Sequence, residues 1–271
     1  MSKETEMENT IDLRLGDCLE VMKDIPDKSV DLVVTSPPYD NLRTYNGNLD
    51  QWTFEKFKDI AEQLFRVTKD GGVVVWVVAD ATIQGSETGS SFKQALFFKE
   101  LGFNLHDTMI WFKPNCFNFG SNNCYKQSFE YMFILSKGKP KSINLIKDIK
   151  AVSAGQIQKG ARKHANGERD SVPDFICGEY KRRFNVWSIN VQSINYGHPA
   201  VFPEQLAKDH ILSWSNENDT VLDCFMGSGT TGKMAKMLNR NFIGIELDEK
   251  YFNIAKERIY GHKQQLELPI F

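Results

Sequence analysis

The apolar run Val30-Asp31-Leu32-Val33-Val34 stops at Thr35-Ser36-Pro37-Pro38-Tyr39. A short apolar run bounded by turn residues reads as a buried strand. Two consecutive prolines cannot continue it, because each fixes φ near about −65° and removes a backbone donor. The hydroxyl, the prolines and the aromatic ring therefore belong where the strand opens, at the carboxyl edge of an α/β sheet, where such folds place their sites. A stiff extended segment also leaves carbonyls in need of outside partners. Ser36 Oγ and the Pro37 carbonyl suit the two hydrogens of an exocyclic amino group on a flat ring, with Pro38 keeping the segment rigid and Tyr39 stacking on the ring. Two acceptors on one amino nitrogen pull its lone pair out of conjugation, and that nitrogen can then attack an electrophilic methyl. A bare Pro-Pro-Tyr has a plainer alternative, a proline turn after a core strand.

The rest of the chain alternates strands and helices. Ile11–Leu15 alternates as a strand and breaks at Gly16-Asp17, which puts Asp17 at a strand end, and Cys18–Ile25 suits a short helix. A polar loop with Arg43 follows Tyr39, and a helix is expected over Phe54–Val67, ended by Asp70-Gly71-Gly72. Val73–Val78 is a continuous apolar run, as in a strand covered on both faces. A helix over Ser90–Leu101 and strands over Phe103–Phe112 and Phe129–Ser136 come next. Later, His198-Pro199-Ala200-Val201-Phe202-Pro203 leads into a helix reaching Trp214, with Pro203 in its tolerant first turn. The chain closes with strand Val221–Phe225, helix Gly229–Leu238, strand Phe242–Glu246 and helix Glu249–Ile259. Such alternation predicts a parallel, doubly wound sheet.

Between the last two strands lies Asp223-Cys224-Phe225-Met226-Gly227-Ser228-Gly229-Thr230-Thr231-Gly232, which satisfies G-x-G-x-x-G between a strand and a helix. Glu246 stands nineteen positions past Gly227, at the end of the next strand, where a carboxylate can take a ribose diol. This points to a nucleoside cofactor. The same pattern fits a dinucleotide fold, and the loop alone does not separate the two. Position does: only one strand, Phe242–Glu246, follows the loop, so the remaining strands must come from the amino-terminal half, including the one ending at Asp17.

At 271 residues with 41% hydrophobic content, the chain can bury a core as one large domain or one domain with an insertion. No run approaches the roughly 18 apolar residues of a membrane span, and Met1–Thr10 is polar, so a cytoplasmic protein without a membrane partner is expected. Five cysteines without a C-x-x-C pair and five scattered histidines argue against a disulfide framework and against a metal site. Net charge is −2, but Lys137–Arg183 holds twelve Lys and Arg against five Asp and Glu, a local +7 that leaves −9 elsewhere. A basic segment in an acidic protein is a candidate phosphate-binding surface, with Lys159, Arg162, Lys163, Lys181, Arg182 and Arg183 as its candidate contacts and Arg43 beside them. Residues 155–164 lose hydrophobic periodicity, which suggests an inserted, partly mobile module; a solvated loop is the alternative.

Taken together, the two motifs and the basic stretch between them resemble the β class of amino-methyltransferases, which methylate the exocyclic nitrogen of cytosine or adenine in DNA with S-adenosylmethionine. In that family an S/D/N-P-P-Y/F/W motif precedes a target-recognition insertion, which precedes the glycine loop, as Ser36–Tyr39, Pro140–Ile194 and Phe225–Gly229 do here. The resemblance implies a Rossmann-like, doubly wound α/β methyltransferase sheet with circularly permuted motif order. Residues 1–138 would be the catalytic half, 139–197 the inserted target-recognition region and 198–271 the cofactor-binding half. It also implies S-adenosylmethionine as cofactor, S-adenosylhomocysteine as product and no metal. Expected partners are double-stranded DNA and, as a candidate, a cognate restriction endonuclease, for a monomer or homodimer of bacterial or phage origin.

Roles carry over by position. Gly16-Asp17-Cys18 resembles the segment that receives the cofactor adenine, with Asp17 accepting from its amino group, and His198, Phe202 and Pro203 would border the methionine end. Phe225, Gly227, Ser228, Gly229 and Thr230, with Asp223 and Thr35, would surround the amino-acid part, and Glu246 with Leu247 the ribose. Plainer alternatives are Asp17 as a helix cap, Glu246 as a surface charge and Phe225 as core. Ser128-Phe129-Glu130-Tyr131 resembles a family strand near the target pocket. No strong base is needed, since the amino nitrogen sheds its proton after attack. A serine before the prolines leans toward N4 of a flipped-out cytosine; N6 of adenine stays open, because both bases offer a planar amino group. A protein-amide or RNA methyltransferase would normally place its glycine loop first, whereas here Gly227 follows Tyr39 by 188 positions. A non-catalytic DNA-binding module would need neither motif.

Overall fold

Successive side chains of the run Val73–Val78 enter opposite apolar layers: Val73, Val75 and Val77 join one, Val74, Trp76 and Val78 the other. This is the behaviour of a strand with helices on both faces. The computed structural model describes residues 9–38, 52–116, 124–164, 166–192 and 202–261; Tyr39, Arg43 and His198 lie outside them.

In chain order the elements are β1 (Ile11–Leu15), α1 (Cys18–Met22), β2 (Val30–Thr35), α2 (Phe54–Val67), β3 (Thr68–Val78), a hairpin of β4 (Thr82–Ile83) and β5 (Ser86–Glu87), α3 (Ser90–Glu100), β6 (Asn104–Phe112) and β7 (Phe129–Ser136). Then come β8 (Lys147–Lys150), β9 (Ile157–Lys163), β10 (Arg169–Ile176), β11 (Tyr180–Arg182), β12 (Val186–Ser188), α4 (Glu204–Trp214), β13 (Thr220–Asp223), α5 (Thr230–Met237), β14 (Asn241–Glu246) and α6 (Glu249–Tyr260). No helix among the described residues is long and apolar enough to cross a membrane.

Eight strands form the main sheet in the order β1-β14-β13-β2-β3-β7-β6-β12. The first five are mutually parallel. The all-parallel expectation is corrected at β7, which runs antiparallel to both β3 and β6. Parallel neighbours need a crossover element, and α3 supplies one between β3 and β6, which share a direction on either side of the reversed β7. From α1, α2 and α3, side chains such as Met22, Phe57, Ile60 and Phe98 fill one layer, while Leu206, Met234, Ala255 and Ile259 of α4, α5 and α6 fill the other. Trp76 is fully buried, and its indole N–H donates to Gln94 Oε1 at 2.8 Å, so its ring enters the core without an orphaned donor.

Several boundaries move for local reasons. Helix α2 does not need Asp70-Gly71-Gly72 to stop: it ends at Val67, Thr68 Oγ1 donates to the Leu64 carbonyl, and the glycines lie inside β3 where its pairing with β2 shifts register. Helix α1 stops at Met22, short of Ile25. Pro203 is the extended N-cap of α4, not a first-turn residue. Strand β13 ends at Asp223, which releases Phe225 into the loop.

Residues Leu145–Phe184 form a separate compact unit of two antiparallel ribbons, β9 with β10 and β8 with β11. Residues 155–164, expected to be irregular, largely form β9. Most of its side chains are exposed, so nothing imposes the apolar alternation by which strands are recognised. Val186–Ser188, inside the expected 139–197 insertion, instead pairs with β6 in the main sheet.

Candidate functional site

Parallel strands deliver their carboxyl ends to one edge, and here that edge collects Asp17, Ser36, Asp223 and Glu246 after or at the ends of β1, β2, β13 and β14. Strands β2 and β13 are neighbours, with Leu32 opposite Val221 and Val33 opposite Leu222. From this pair the chain continues in opposite directions across the sheet, to β3 on one side and β14 on the other, which makes it the topological switch point.

Thr35 Oγ1 donates to Asp223 Oδ1 at 2.7 Å across that switch point, and the same oxygen accepts the Phe225 N–H at 3.1 Å. Both side chains are buried. Burial pushes the Asp223 carboxyl up to about 6, against the hydrogen bonds from Thr35, Thr231 and the Phe225 N–H. Thr35 and Asp223 thus join the strand that leads into Ser36 to the strand that leads into the glycine loop. Ser36 is half-buried, Pro37 buried and Pro38 half-buried.

Gly227 and Gly229 adopt φ of +53° and +79°, a left-handed region that favours glycine. The Gly227 N–H donates to Glu246 Oε2 at 2.7 Å and the Asp248 N–H to Oε1 at 2.9 Å. Glu246 is therefore a half-buried anchor of the loop and not a loose surface charge. Burial raises its carboxyl, opposed by these two N–H groups and reinforced by Asp223 and Asp248. Each oxygen keeps a second lone pair, so the carboxylate retains capacity for a diol. Leu247 beside it is exposed. Phe225 stands edge-on to Trp52 at 5.5 Å and to Trp76 at 6.3 Å, half-buried, so the core reading describes one side of its ring. Ser228 and Thr230 are buried and accept from Arg258.

Asp17 does cap α1: Oδ1 accepts the Leu19 N–H at 2.9 Å, while Oδ2 pairs with Lys56 Nζ at 3.0 Å. Burial alone would raise its carboxyl, but Lys56 and the Leu19 N–H together hold it below the usual value. Burial pushes the adjacent Cys18 thiol up to about 12, so it stays protonated and is no nucleophile. Further along the edge, Phe202 packs on Trp111 with ring centroids 6.5 Å apart, and Pro203 is buried. Lys113 and Glu130 form a 2.8 Å ion pair with both side chains at most 16% exposed.

Lys56, Lys113, Glu204 and Arg258 were not expected from the sequence. Lys56 meets Asp17 across 39 positions and Arg258 meets Glu204 across 54, distances at which spacing carries no signal. Within Leu145–Phe184, Lys159, Arg162, Lys163, Lys181 and Arg182 are exposed. Arg183 differs: it is half-buried and pairs with Asp148 through Nε at 2.8 Å and Nη2 at 2.5 Å, so its guanidinium is engaged inside the unit.

A family model described as DNA methylase, of the N6/N4 type, matches residues 30–257. Orphan methyltransferase M.BamHII of Bacillus amyloliquefaciens is 53% identical over 250 residues, covering 89% of this chain and 92% of its own length. Type II methyltransferase M.SmaI of Serratia marcescens is 30% identical over 282 residues, covering 90% and 89%. Among solved structures, the cytosine-N4-specific PvuII DNA methyltransferase superposes with a TM-score of 0.70 at 24% identity, over 96% of this chain and 89% of that one, a likeness of fold. M1.HpyAVI in its SAM complex superposes at 0.64 with 25% identity, over 93% and 100%.

Proposed function

Since the chain belongs to the N6/N4 DNA methylase family, we propose that this S-adenosylmethionine-dependent DNA methyltransferase modifies the N4 nitrogen of a cytosine flipped out of duplex DNA. The observation that carries this reading is the Thr35–Asp223 hydrogen bond, which ties the strand end bearing Ser36 to the strand end bearing the glycine loop. Methyl acceptor and methyl donor are thereby assigned to adjacent strand ends. S-adenosylmethionine supplies an electrophilic methyl on a sulfonium. Asp17 and Glu246 hold its adenine amino group and ribose hydroxyls, while Phe225 and the glycines let the backbone approach its amino-acid part.

Ser36 Oγ and the Pro37 carbonyl accept the two amino hydrogens, and Tyr39 stacks on the base. The nitrogen lone pair forms the N–C bond as the C–S bond breaks and its electrons return to sulfur; the positive charge moves to nitrogen and leaves as a proton to water. Flipping is required because the amino group of a stacked, paired cytosine cannot reach Ser36. Ser36 before the prolines supports cytosine over adenine. Leu145–Phe184 is the target-recognition unit in this reading, acting in the cytoplasm, and the word orphan in the name of the 53% relative supports a chain without a paired endonuclease.

Two experiments cover substrate and grip. Tritiated methyl groups should enter duplex DNA and neither RNA nor protein. Replacing Lys159, Arg162, Lys163, Lys181 and Arg182 by glutamine should flatten the salt dependence of DNA binding by about 0.9 in log–log slope for each phosphate that is no longer neutralised. Label in RNA or protein contradicts the substrate, and an unchanged slope removes these five cations from the DNA surface.

A further inference from the structure

Three segments remote in sequence converge on one guanidinium. Arg258, on α6, donates from Nη1 to the Ser228 carbonyl at 2.6 Å, to Ser228 Oγ at 2.7 Å and to Thr230 Oγ1 at 3.2 Å. Its Nη2 reaches Glu204 Oε1, in the first turn of α4, at 3.3 Å, and Lys233 of α5 donates to that same oxygen at 2.7 Å. The Arg258 side chain is 10% exposed and that of Lys233 12%. A largely enclosed cation with this many oriented bonds is a fixed part of the architecture, because moving it would strand donors and acceptors with little access to water.

Its bonds fall where the loop is least determined by its own chain. Ser228 sits between the two left-handed glycines, residues that lose more conformational freedom on ordering than any others. On one side the loop is held by Glu246 through the Gly227 N–H, and the Gly229 N–H is held by the Met226 carbonyl. The Ser228 carbonyl faces the other way, into Arg258. Through Glu204 the same guanidinium fixes the start of α4 directly after Phe202-Pro203.

We propose that Arg258 is a positioning residue for cofactor binding: it sets the peptide orientation of the glycine loop and locks the loop to the start of α4 through Glu204, so that both cofactor-bordering segments are preorganised together. Lysine cannot replace it, because an ammonium lacks the planar fork that reaches Ser228 and Glu204 at once. The inference rests on the cofactor reading above, and its test separates the two.

Calorimetric titration of S-adenosylmethionine into the DNA-free protein is the measurement. Arg258→Lys should raise the Kd about 10- to 30-fold, and under saturating cofactor kcat should stay within about threefold while KM for DNA is unchanged. Glu204→Gln, which keeps the side-chain volume, should raise the Kd about three- to tenfold, and the double variant should be less than additive, because each change breaks the same lock. Should Arg258→Lys not fold, Glu204→Gln carries the test alone. A wild-type affinity in either folded variant, additive effects, or a kcat loss at unchanged Kd would overturn the proposal. If the wild-type protein itself ignores S-adenosylmethionine, the cofactor reading fails instead.

Discussion

Ser36→Ala should bind S-adenosylmethionine and DNA as the wild type does and turn over about 10²- to 10³-fold more slowly. The residue follows directly on Thr35, which is pinned by the Asp223 carboxylate, and precedes two prolines that fix the backbone, so the backbone that carries the hydroxyl is set before any ligand arrives. An acceptor fixed in advance needs no reorganisation as the amino nitrogen gains positive charge, and deleting one such hydrogen bond costs roughly 3 to 4 kcal/mol of barrier. The ground state loses little, since a neutral amino group binds water almost as well as it binds a serine. Single-turnover methyl transfer read beside equilibrium binding checks this. A rate within threefold of wild type would take Ser36 out of the mechanism.

Gly229→Ala should be the most damaging single methyl in the cofactor loop. At φ +79° an L residue is strained by roughly 1 to 2 kcal/mol. The new Cβ would also lie 2.8 Å from Ala255 Cβ, 2.9 Å from Ala255 Cα and 3.1 Å from Ile259 Cδ1. The backbone of α6 cannot give way as a flexible side chain would, so overpacking adds about 1 to 3 kcal/mol. The sum, about 2 to 5 kcal/mol, should lower Tm by roughly 5 to 15 °C and abolish measurable cofactor binding, because the loop can relieve the clash only by leaving α6. Gly85→Ala is the matched control: its φ is +82°, yet nothing lies within 4 Å of the added carbon, so only the strain remains. Thermal unfolding of the pair compares them, and equal losses would show that crowding against α6 plays no part.

What the sequence made legible follows from the range of each interaction. Val30–Thr35, Phe54–Val67 and Phe129–Ser136 fall where periodicity places them, because each buries a face whose pattern is written in consecutive residues. The reversal of β7 was not legible, since the apolar run Phe129–Ser136 reads the same whether it pairs parallel or antiparallel with its neighbours. The site divides in the same way. The places of Ser36, the glycines and Glu246 at one sheet edge were readable because each stands at a fixed offset from an apolar run that forms a strand. Arg258, Lys56 and Lys113 were not, because each meets its partner only once the sheet is assembled. Arg183 shows the converse. Charge counting groups it with the exposed cations of Leu145–Phe184, but counting cannot see the Asp148 carboxylate that folding brings to it.

Nucleoside analysis of methylated DNA tests the central claim most directly. Duplex DNA incubated with this chain and isotopically labelled S-adenosylmethionine, digested to nucleosides and resolved by mass spectrometry, should carry the label in N4-methyldeoxycytidine. N6-methyldeoxyadenosine in its place would keep the amino-group chemistry of Ser36 and reverse the choice of base. Label on carbon 5 of cytosine, or none in DNA, would contradict the account at its root, because neither outcome uses an amino nitrogen held between a serine hydroxyl and a proline carbonyl.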